Sequence, residues 1–588
     1  MGKNKKQLLL GNEAVARGLY EAGVELVSSY PGTPSTEITE SAAKYDDIYC
    51  EWAPNEKVAA EVAFGACVGG ARAFCGMKHV GLNVAADPLY TASYTGVNAG
   101  FVIGVADDPG MHSSQNEQDS RHHAIASKIA MLEPADSQEC RDFTKLAFEL
   151  SEQFDTPVLL RLTTRIAHSR SLVEVGEREK RELKDFPKNP DKYVMMPAMA
   201  QKRHIVVEER MLALRDWAES ADINRVEMND GAVIGVIAAG DCYQYAREAL
   251  GDGANYLKLG MVNPLPIKLI KDFADKCEKV YVIEELDDII ETHCKANGIS
   301  VIGKEIFSRL GEFSQATVRK SILESEKEYL SVDAEIPGRP PVLCAGCPHR
   351  GVFYTLKKLH CNVSGDIGCY TLGALAPLKS IDVSTCMGAS VTSLHGMNKV
   401  RGDEFASKSV AVIGDSTFAH SGITGIIDIA YNKGISTVIV LDNSITGMTG
   451  HQQNPTTGYT IKGDPTAAVD LTALCKACGI NRVRVFDPYD LSAAEKAIKE
   501  ELAVNEPSVL ISRRPCALLK QVKHNPPLKV DEEKCTGCTS CMKIGCPAIS
   551  MKGEGKGRKA VIDFTQCVGC GVCSQMCKFG AICEGSGK

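Results

Sequence analysis

The sequence has no apolar run approaching the ~18–20 residues that cross a bilayer, and its basic start, Met1 to Lys6, is not followed by a signal-peptide h-region. Gly2 follows Met1, but Lys6 stands where a myristoylation motif wants Ser or Thr. No long basic block occurs, and a formal charge of -8, from 66 basic against 74 acidic residues, gives no electrostatic footprint for nucleic acid. These absences lead us to expect a cytoplasmic protein that partners neither a membrane nor a nucleic acid.

Cysteine, in contrast, is plentiful: 24 residues, nine of them between Cys535 and Cys583. Such a density marks either a disulfide framework or a metal–sulfur site, and without a secretion signal we expect metal. The runs are Cys535-x2-Cys538-x2-Cys541-x4-Cys546-Pro547 and Cys567-x2-Cys570-x2-Cys573-x3-Cys577. Two such runs have the spacing of a bacterial-type ferredoxin with two [4Fe-4S] clusters, in which the fourth cysteine of each run crosses to the other cluster. Cys577 is then expected to complete the site of Cys535, Cys538 and Cys541, and Cys546 that of Cys567, Cys570 and Cys573. The alternatives are unliganded buried thiols or a zinc ribbon, whose four-ligand sites would leave two full triplets surplus. The x4 spacing and Lys578, where proline usually follows, depart from the pattern, and Cys583 fits no motif.

At 588 residues, with 44% hydrophobic and 24% charged, the chain exceeds what one core supports, and three or four domains are expected. Short β-rich runs at Val24 to Tyr30, Ala232 to Ala238, Lys279 to Ile283, Val410 to Gly414, Thr437 to Asp442 and Pro507 to Ser512 alternate with helix-length stretches, which predicts α/β layers with parallel sheets. Charged, proline-broken stretches at Glu174 to Pro197, Glu326 to Pro341 and Lys520 to Lys534 are expected linkers. The expected domains are 1–200, 228–328, 338–522 and 526–588.

Gly414-Asp415-Ser416 ends one predicted strand and Asp442-Asn443 another, where open α/β sheets place ligands. A Mg2+ bridging a diphosphate takes a carboxylate, an amide oxygen and a backbone carbonyl, which Asp415, Asn443 and Ile445 would supply. Gly414 would let the backbone approach the phosphate. Taken alone, a Gly-Asp pair with a distant Asn also arises in ordinary turns. The continuation from Asp442 through Ile445-Thr446-Gly447-Met448-Thr449-Gly450-His451 to Thr457 resembles the thiamine-domain signature of 2-oxoacid:ferredoxin oxidoreductases, with Ser416 where that family usually has Gly.

The resemblance extends along essentially the whole chain and implies a multidomain thiamine-diphosphate-enzyme fold: a pyrimidine domain, a transketolase C-terminal-like domain, a diphosphate domain and a C-terminal α+β ferredoxin domain. In Tyr30-Pro31-Gly32-Thr33-Pro34-Ser35-Thr36 it implies that Thr33 contacts the substrate carboxylate. In Asn55-Glu56-Lys57-Val58-Ala59-Ala60-Glu61 it makes Glu56 the carboxylate that bonds the aminopyrimidine N1′, with Glu61 as the rival acid. Arg121 is expected either to clamp the oxoacid carboxylate or to be an ordinary surface-loop arginine. The domain order resembles α subunits of the indolepyruvate:ferredoxin oxidoreductase subfamily. That implies a small β subunit, ferredoxin as electron acceptor, and conversion of an aryl pyruvate and coenzyme A to an aryl-acetyl-CoA and CO2. A non-oxidative thiamine decarboxylase would have no use for the cluster tail, and a pure electron-transfer subunit would not keep both halves of a thiamine site.

Four cysteines outside the tail, Cys344, Cys347, Cys369 and Cys516, sit in turns around the thiamine segment and are expected to converge on a third [4Fe-4S] cluster, or else to be buried thiols. Cys475 and Cys478 have helical spacing and are expected in a core.

Overall fold

The computed structural model describes residues 5–325 and 333–585. It divides into two compact units, Met1–Asp333 and Ala334–Lys588.

The first unit is built on a seven-stranded sheet in the order Met261–Asn263, Ala130–Leu132, Val158–Thr163, Phe101–Asp107, Ala73–Lys78, Leu26–Ser29 and Tyr49–Trp52. All neighbours are parallel except the edge strand Met261–Asn263. Helices cover both faces, so the central strands Phe101–Asp107 and Ala73–Lys78 are buried at every residue and carry continuous apolar runs rather than an alternation. A second sheet of four strands holds Lys279–Ile283, Ile234–Ala239, Ala254–Leu259 and Arg225–Glu227. Met261–Asn263 lies in sequence between two strands of that sheet, Ala254–Leu259 and Lys279–Ile283, yet completes the first, so the expected segments 1–200 and 228–328 share one sheet and one core.

The second unit has a five-stranded, all-parallel sheet: Asn362–Ser364, Ser409–Gly414, Thr437–Asp442, Ser508–Arg513 and Arg482–Phe486. Alternate residues of one strand serve opposite cores. Val410 and Val412 pack with Phe353 and Ile498, whereas Ala411 and Ile413 pack with Leu394 and Ile426. Cys475 lies in the latter core with Cys478 at its margin, as their helical spacing predicts.

Two expected linkers differ in the structure. Glu174 to Pro197 begins inside the strand Arg170–Val175, which pairs with Lys5–Leu10, and its charges then fasten it to the body: Arg178 donates to the carbonyl of Tyr20 and the Lys184 amide to that of Gly70. Lys520 to Lys534 contains the strand Leu528–Val530, which pairs with Ile582–Glu584 and opens the cysteine-rich module. Of Glu326 to Pro341, residues 326–332 lie outside the described residues, as do residues 1–4 of the basic start. Nor does the module hang on a tether: Tyr354, Tyr489 and Leu491 of the preceding segment pack into its core beside Ile544, Val572 and Met576. Among the described residues no helix is long and apolar enough to cross a membrane.

Candidate active site

Four neighbouring strands of the second unit deliver their following residues to one end of the sheet, the carboxyl end, where parallel α/β sheets bind ligands. Cys369 follows Asn362–Ser364, Asp415 follows Ser409–Gly414, Asn443 follows Thr437–Asp442, and Cys516 follows Ser508–Arg513.

The oxygen cluster has the shape a hard cation needs. Asp415 is buried, and burial together with the charge of Asp442 pushes its carboxyl up to about 7. The Asn443 side-chain oxygen lies 2.8 Å from the carbonyl oxygen of Ile445 and 3.2 Å from Asp415 Oδ1. Three acceptors facing one another repel unless a cation sits among them or the amide turns over to present its NH2. Adjacent corners of a Mg2+ octahedron with bonds of about 2.0–2.1 Å are separated by about 3 Å, so the donor set fits the metal. Thr456 Oγ1 donates to Asp415 Oδ2 at 3.3 Å, and Thr446 Oγ1 donates to Ser416 Oγ at 3.0 Å. The serine that replaces the family's usual glycine therefore ties its strand end to the next loop. Gly414 packs under Tyr370: a Cβ there would come within 2.6 Å of the ring.

Cys344, Cys347, Cys369 and Cys516 come together beside this loop. Burial pushes Cys347 up to about 12 with help from Cys344 and Cys369, and Cys369 up to about 11 with help from Cys516 and Cys344. The amide of Cys516 donates to the Asn443 carbonyl at 2.9 Å, and the Cys369 turn is held by Asp366, whose carboxylate accepts from the amides of Gly388 and Ser390. In the tail, Cys541 feels the charges of Cys538, Cys535 and Cys577, while Cys570 feels those of Cys546 and Cys567. Cys577 of the second run thus lies near the first run, and Cys546 of the first run near the second. Val530, Met551, Ala560 and Ile582 line the first group with apolar surface.

In the first unit, Asn55 caps the helix Glu56–Val68 by accepting from the Val58 amide at 2.9 Å, which sets Glu56 at its first turn, buried. Gly81 makes room for that carboxylate, since a Cβ there would lie 2.6 Å from Glu56 Oε1. Glu61 is half-exposed and paired with Lys57. Thr33 lies in the turn before the helix Thr36–Ala42, and its carbonyl accepts from Ser113 Oγ at 3.4 Å.

Arg121 requires a correction to both readings. It is 2% exposed and its fork is already filled: Nε and Nη2 bond Asp119 at 2.9 and 2.6 Å, Nη1 bonds Glu284 at 2.5 Å, and Nη2 also reaches the carbonyls of Glu285 and Asp287. It is neither a surface arginine nor a free clamp for a substrate, because two buried carboxylates consume its donors and the contact ties the strand end at Ile283 to the helix Arg121–Ser127.

A cation that sequence reading missed lies closer to Thr33. Lys78 ends the buried strand Ala73–Lys78, is 8% exposed, and donates to the Ser113 carbonyl at 2.7 Å. Its Cβ would be 3.1 Å from a Cβ placed on Gly32. Burial pushes its pKa down to about 8, against the pull of Asp108. A lysine closing an otherwise apolar strand was the available signal.

Comparison with known proteins accords with this architecture. Residues 17–227 match the family "Pyruvate flavodoxin/ferredoxin oxidoreductase, thiamine diP-bdg", residues 366–512 match "Thiamine pyrophosphate enzyme, C-terminal TPP binding domain", and residues 520–581 match a "4Fe-4S dicluster domain". The chain thus has an α/β thiamine-diphosphate-enzyme fold with a C-terminal two-cluster ferredoxin domain, and its cofactors are thiamine diphosphate and iron–sulfur clusters. It is 39% identical to "Indolepyruvate oxidoreductase subunit IorA" of Archaeoglobus fulgidus, over 99% of this chain and 98% of that protein. It is 40% identical to the subunit of the same name from Pyrococcus horikoshii, over 98% and 96%, and 39% to that of Methanothermobacter marburgensis, over 99% and 98%. With that likeness end to end, and with an oxygen cluster and three cysteine groups disposed as described, the chain belongs to the IorA family of indolepyruvate oxidoreductase subunits.

Proposed function

We propose that this chain is the catalytic subunit for oxidative decarboxylation of aryl pyruvates, indolepyruvate among them. A 2-oxo acid, coenzyme A and two oxidised ferredoxins give the acyl-CoA, CO2, a proton and two reduced ferredoxins. The working enzyme is a cytoplasmic heterodimer, or larger α/β assembly, with a small β subunit. The observation that carries this reading is the 2.9 Å hydrogen bond from the Cys516 amide to the Asn443 carbonyl, which sets a cysteine group against the oxygen cluster. Such closeness serves electron removal and would be idle in a non-oxidative decarboxylase.

Thiamine diphosphate, when bound, supplies the nucleophilic carbon and the electron sink for decarboxylation. Asp415, Asn443 and the Ile445 carbonyl would hold Mg2+ on its diphosphate, with Gly414 and Ser416 shaping the approach. Glu56 would hold the aminopyrimidine N1′ and stabilise a proton there, which favours the imino tautomer that acts as base. Thr33 supplies a hydroxyl and Lys78 a charge for the substrate carboxylate. Cys344, Cys347, Cys369 and Cys516 would ligate the first electron acceptor; Cys546, Cys567, Cys570 and Cys573, and then Cys535, Cys538, Cys541 and Cys577, the next two. Clusters suit this task because they carry electrons singly.

The test is anaerobic purification with the β partner, followed by an assay with indolepyruvate, coenzyme A and ferredoxin. Ferredoxin reduction that requires all three components is expected. Release of an aldehyde without ferredoxin reduction would overturn the proposal.

A further inference from the structure

Arg350 is the second residue of the helix His349–Lys358, three positions after Cys347, and is 4% exposed. An arginine buried so deeply ordinarily meets a carboxylate, because an unpaired interior charge is very costly. Among the described residues none pairs with it. Its donors go to backbone carbonyls instead: Nε to Cys344 at 3.0 Å, Nη2 to Leu343, and Nη1 to Ile544 at 3.1 Å and to Gly545. One side of the guanidinium therefore grips the loop carrying Cys344, and the other grips the turn that precedes Cys546.

That turn has nowhere else to go. Gly545 has φ of +67°, and a Cβ on it would lie 2.7 Å from Pro377 and 3.2 Å from Arg350 Nη1. A parallel strap runs beside it: Tyr489 donates its hydroxyl hydrogen to the Gly346 carbonyl, and Gln575 of the ferredoxin module donates to the Tyr489 carbonyl at 2.7 Å. Carbonyls satisfy the N–H groups of Arg350 but leave its unit charge unbalanced. The guanidinium has the loop of Cys344 and Cys347 on one side and the turn leading into Cys546 on the other, one from the first cysteine group and one from the second. A [4Fe-4S] cluster held by four thiolates carries net negative charge, so two clusters would supply the missing anions from opposite sides.

We propose that Arg350 is a positioning residue for electron transfer, whose fork locks the Cys344 loop to the Cys546 turn and whose charge lies between two clusters and raises the reduction potential of both. The proposal rests on reading Cys344, Cys347, Cys369 and Cys516 as ligands of a cluster. It makes the ferredoxin module's nearer cluster the obligatory second stop, and it makes Arg350 part of the redox chemistry rather than of packing alone.

The experiment is a potentiometric titration followed by electron paramagnetic resonance, on the full-length chain with its partner, for wild type, R350Q and R350K, with iron counted in each. In R350Q the ratio of reduced to oxidised should fall about tenfold at a fixed potential for two of three clusters, equivalent to about 59 mV for a one-electron couple, with the third unmoved. R350K keeps the charge without the fork, so its midpoints should remain near wild type while transfer between the two flanking clusters slows. Unchanged midpoints in a fully loaded R350Q overturn the proposal. Should R350Q fail to load its clusters, R350K decides, and wild-type transfer rates in it overturn the proposal. A wild-type chain with about eight irons rather than about twelve removes the underlying ligand reading, and the proposal falls with it.

Discussion

The backbone amide of Cys516 and the carbonyl oxygen of Asn443 are joined by a 2.9 Å hydrogen bond, so one end of one sheet serves both an oxygen donor set and a sulfur donor set. The two sets are nonetheless chemically separate, and each can be removed alone. Asp415→Ala should abolish binding of Mg2+ and thiamine diphosphate, read by calorimetry, while iron content stays at the wild-type value. Tight cofactor binding by that variant would sink the magnesium assignment.

Glu56→Gln should still bind the cofactor but slow exchange of the thiazolium C2 proton by orders of magnitude, since a neutral amide does not favour the imino tautomer. Proton exchange followed by NMR is the measurement. Near-normal exchange would move the role away from Glu56, and the solvent-facing, Lys57-paired Glu61 is a poor heir to it.

Lys78 is held down to about 8, so its charge is present below that pH and fades above it. Affinity for the anionic oxoacid should weaken as pH rises through about 8, seen as a rising KM, and Lys78→Met should abolish that pH dependence. Stability runs the other way. Because the unfolded chain keeps this lysine protonated to about 10.5, the unfolded state binds more protons between about 8 and 10.5, and this residue's contribution to stability grows across that window. A KM profile identical in wild type and variant would dismiss Lys78 as a substrate group.

Arg121→Met leaves Asp119 and Glu284 buried without their partner, and a loss of about 3–5 kcal/mol in unfolding free energy is expected. Denaturant titration measures it. A large rise in KM for the oxoacid with stability intact would restore the substrate-clamp role denied to this residue above.

Cys516→Ser should remove one cluster's worth of iron from a total of about twelve per chain, leaving the module's pair in place. An iron count of about eight, the same before and after the substitution, would show that the four cysteines outside the module are thiols only.

The strand frame and the cysteine runs were legible because both are written in local pattern. The C-x2-C-x2-C runs could be read without any knowledge of tertiary contacts, and the strands Lys279–Ile283 and Thr437–Asp442 were bounded correctly by their apolar runs alone. What escaped notice depended on distant partners. Arg121 looked available because Glu284, which takes its Nη1, lies 163 residues further on. Lys78 was overlooked because only the fold brings it against Gly32 and Ser113. Arg350 followed Cys347 in plain view, but its meaning comes from Ile544 and Gly545, nearly two hundred residues away.

The crossed grouping of the module's cysteines has a mechanical meaning as well. The segment from Leu528 to Glu584 is too small to rely on a hydrophobic core alone. Clusters held in that crossed way would each pin the first half of the segment to the second, Cys577 with Cys535 and Cys546 with Cys567. The inorganic cores then act as cross-links that shorten the unfolded chain's reach, much as a pair of disulfides would. Loss of either one to oxygen loosens the frame that holds the other, so the module should fail by a single cooperative step rather than cluster by cluster.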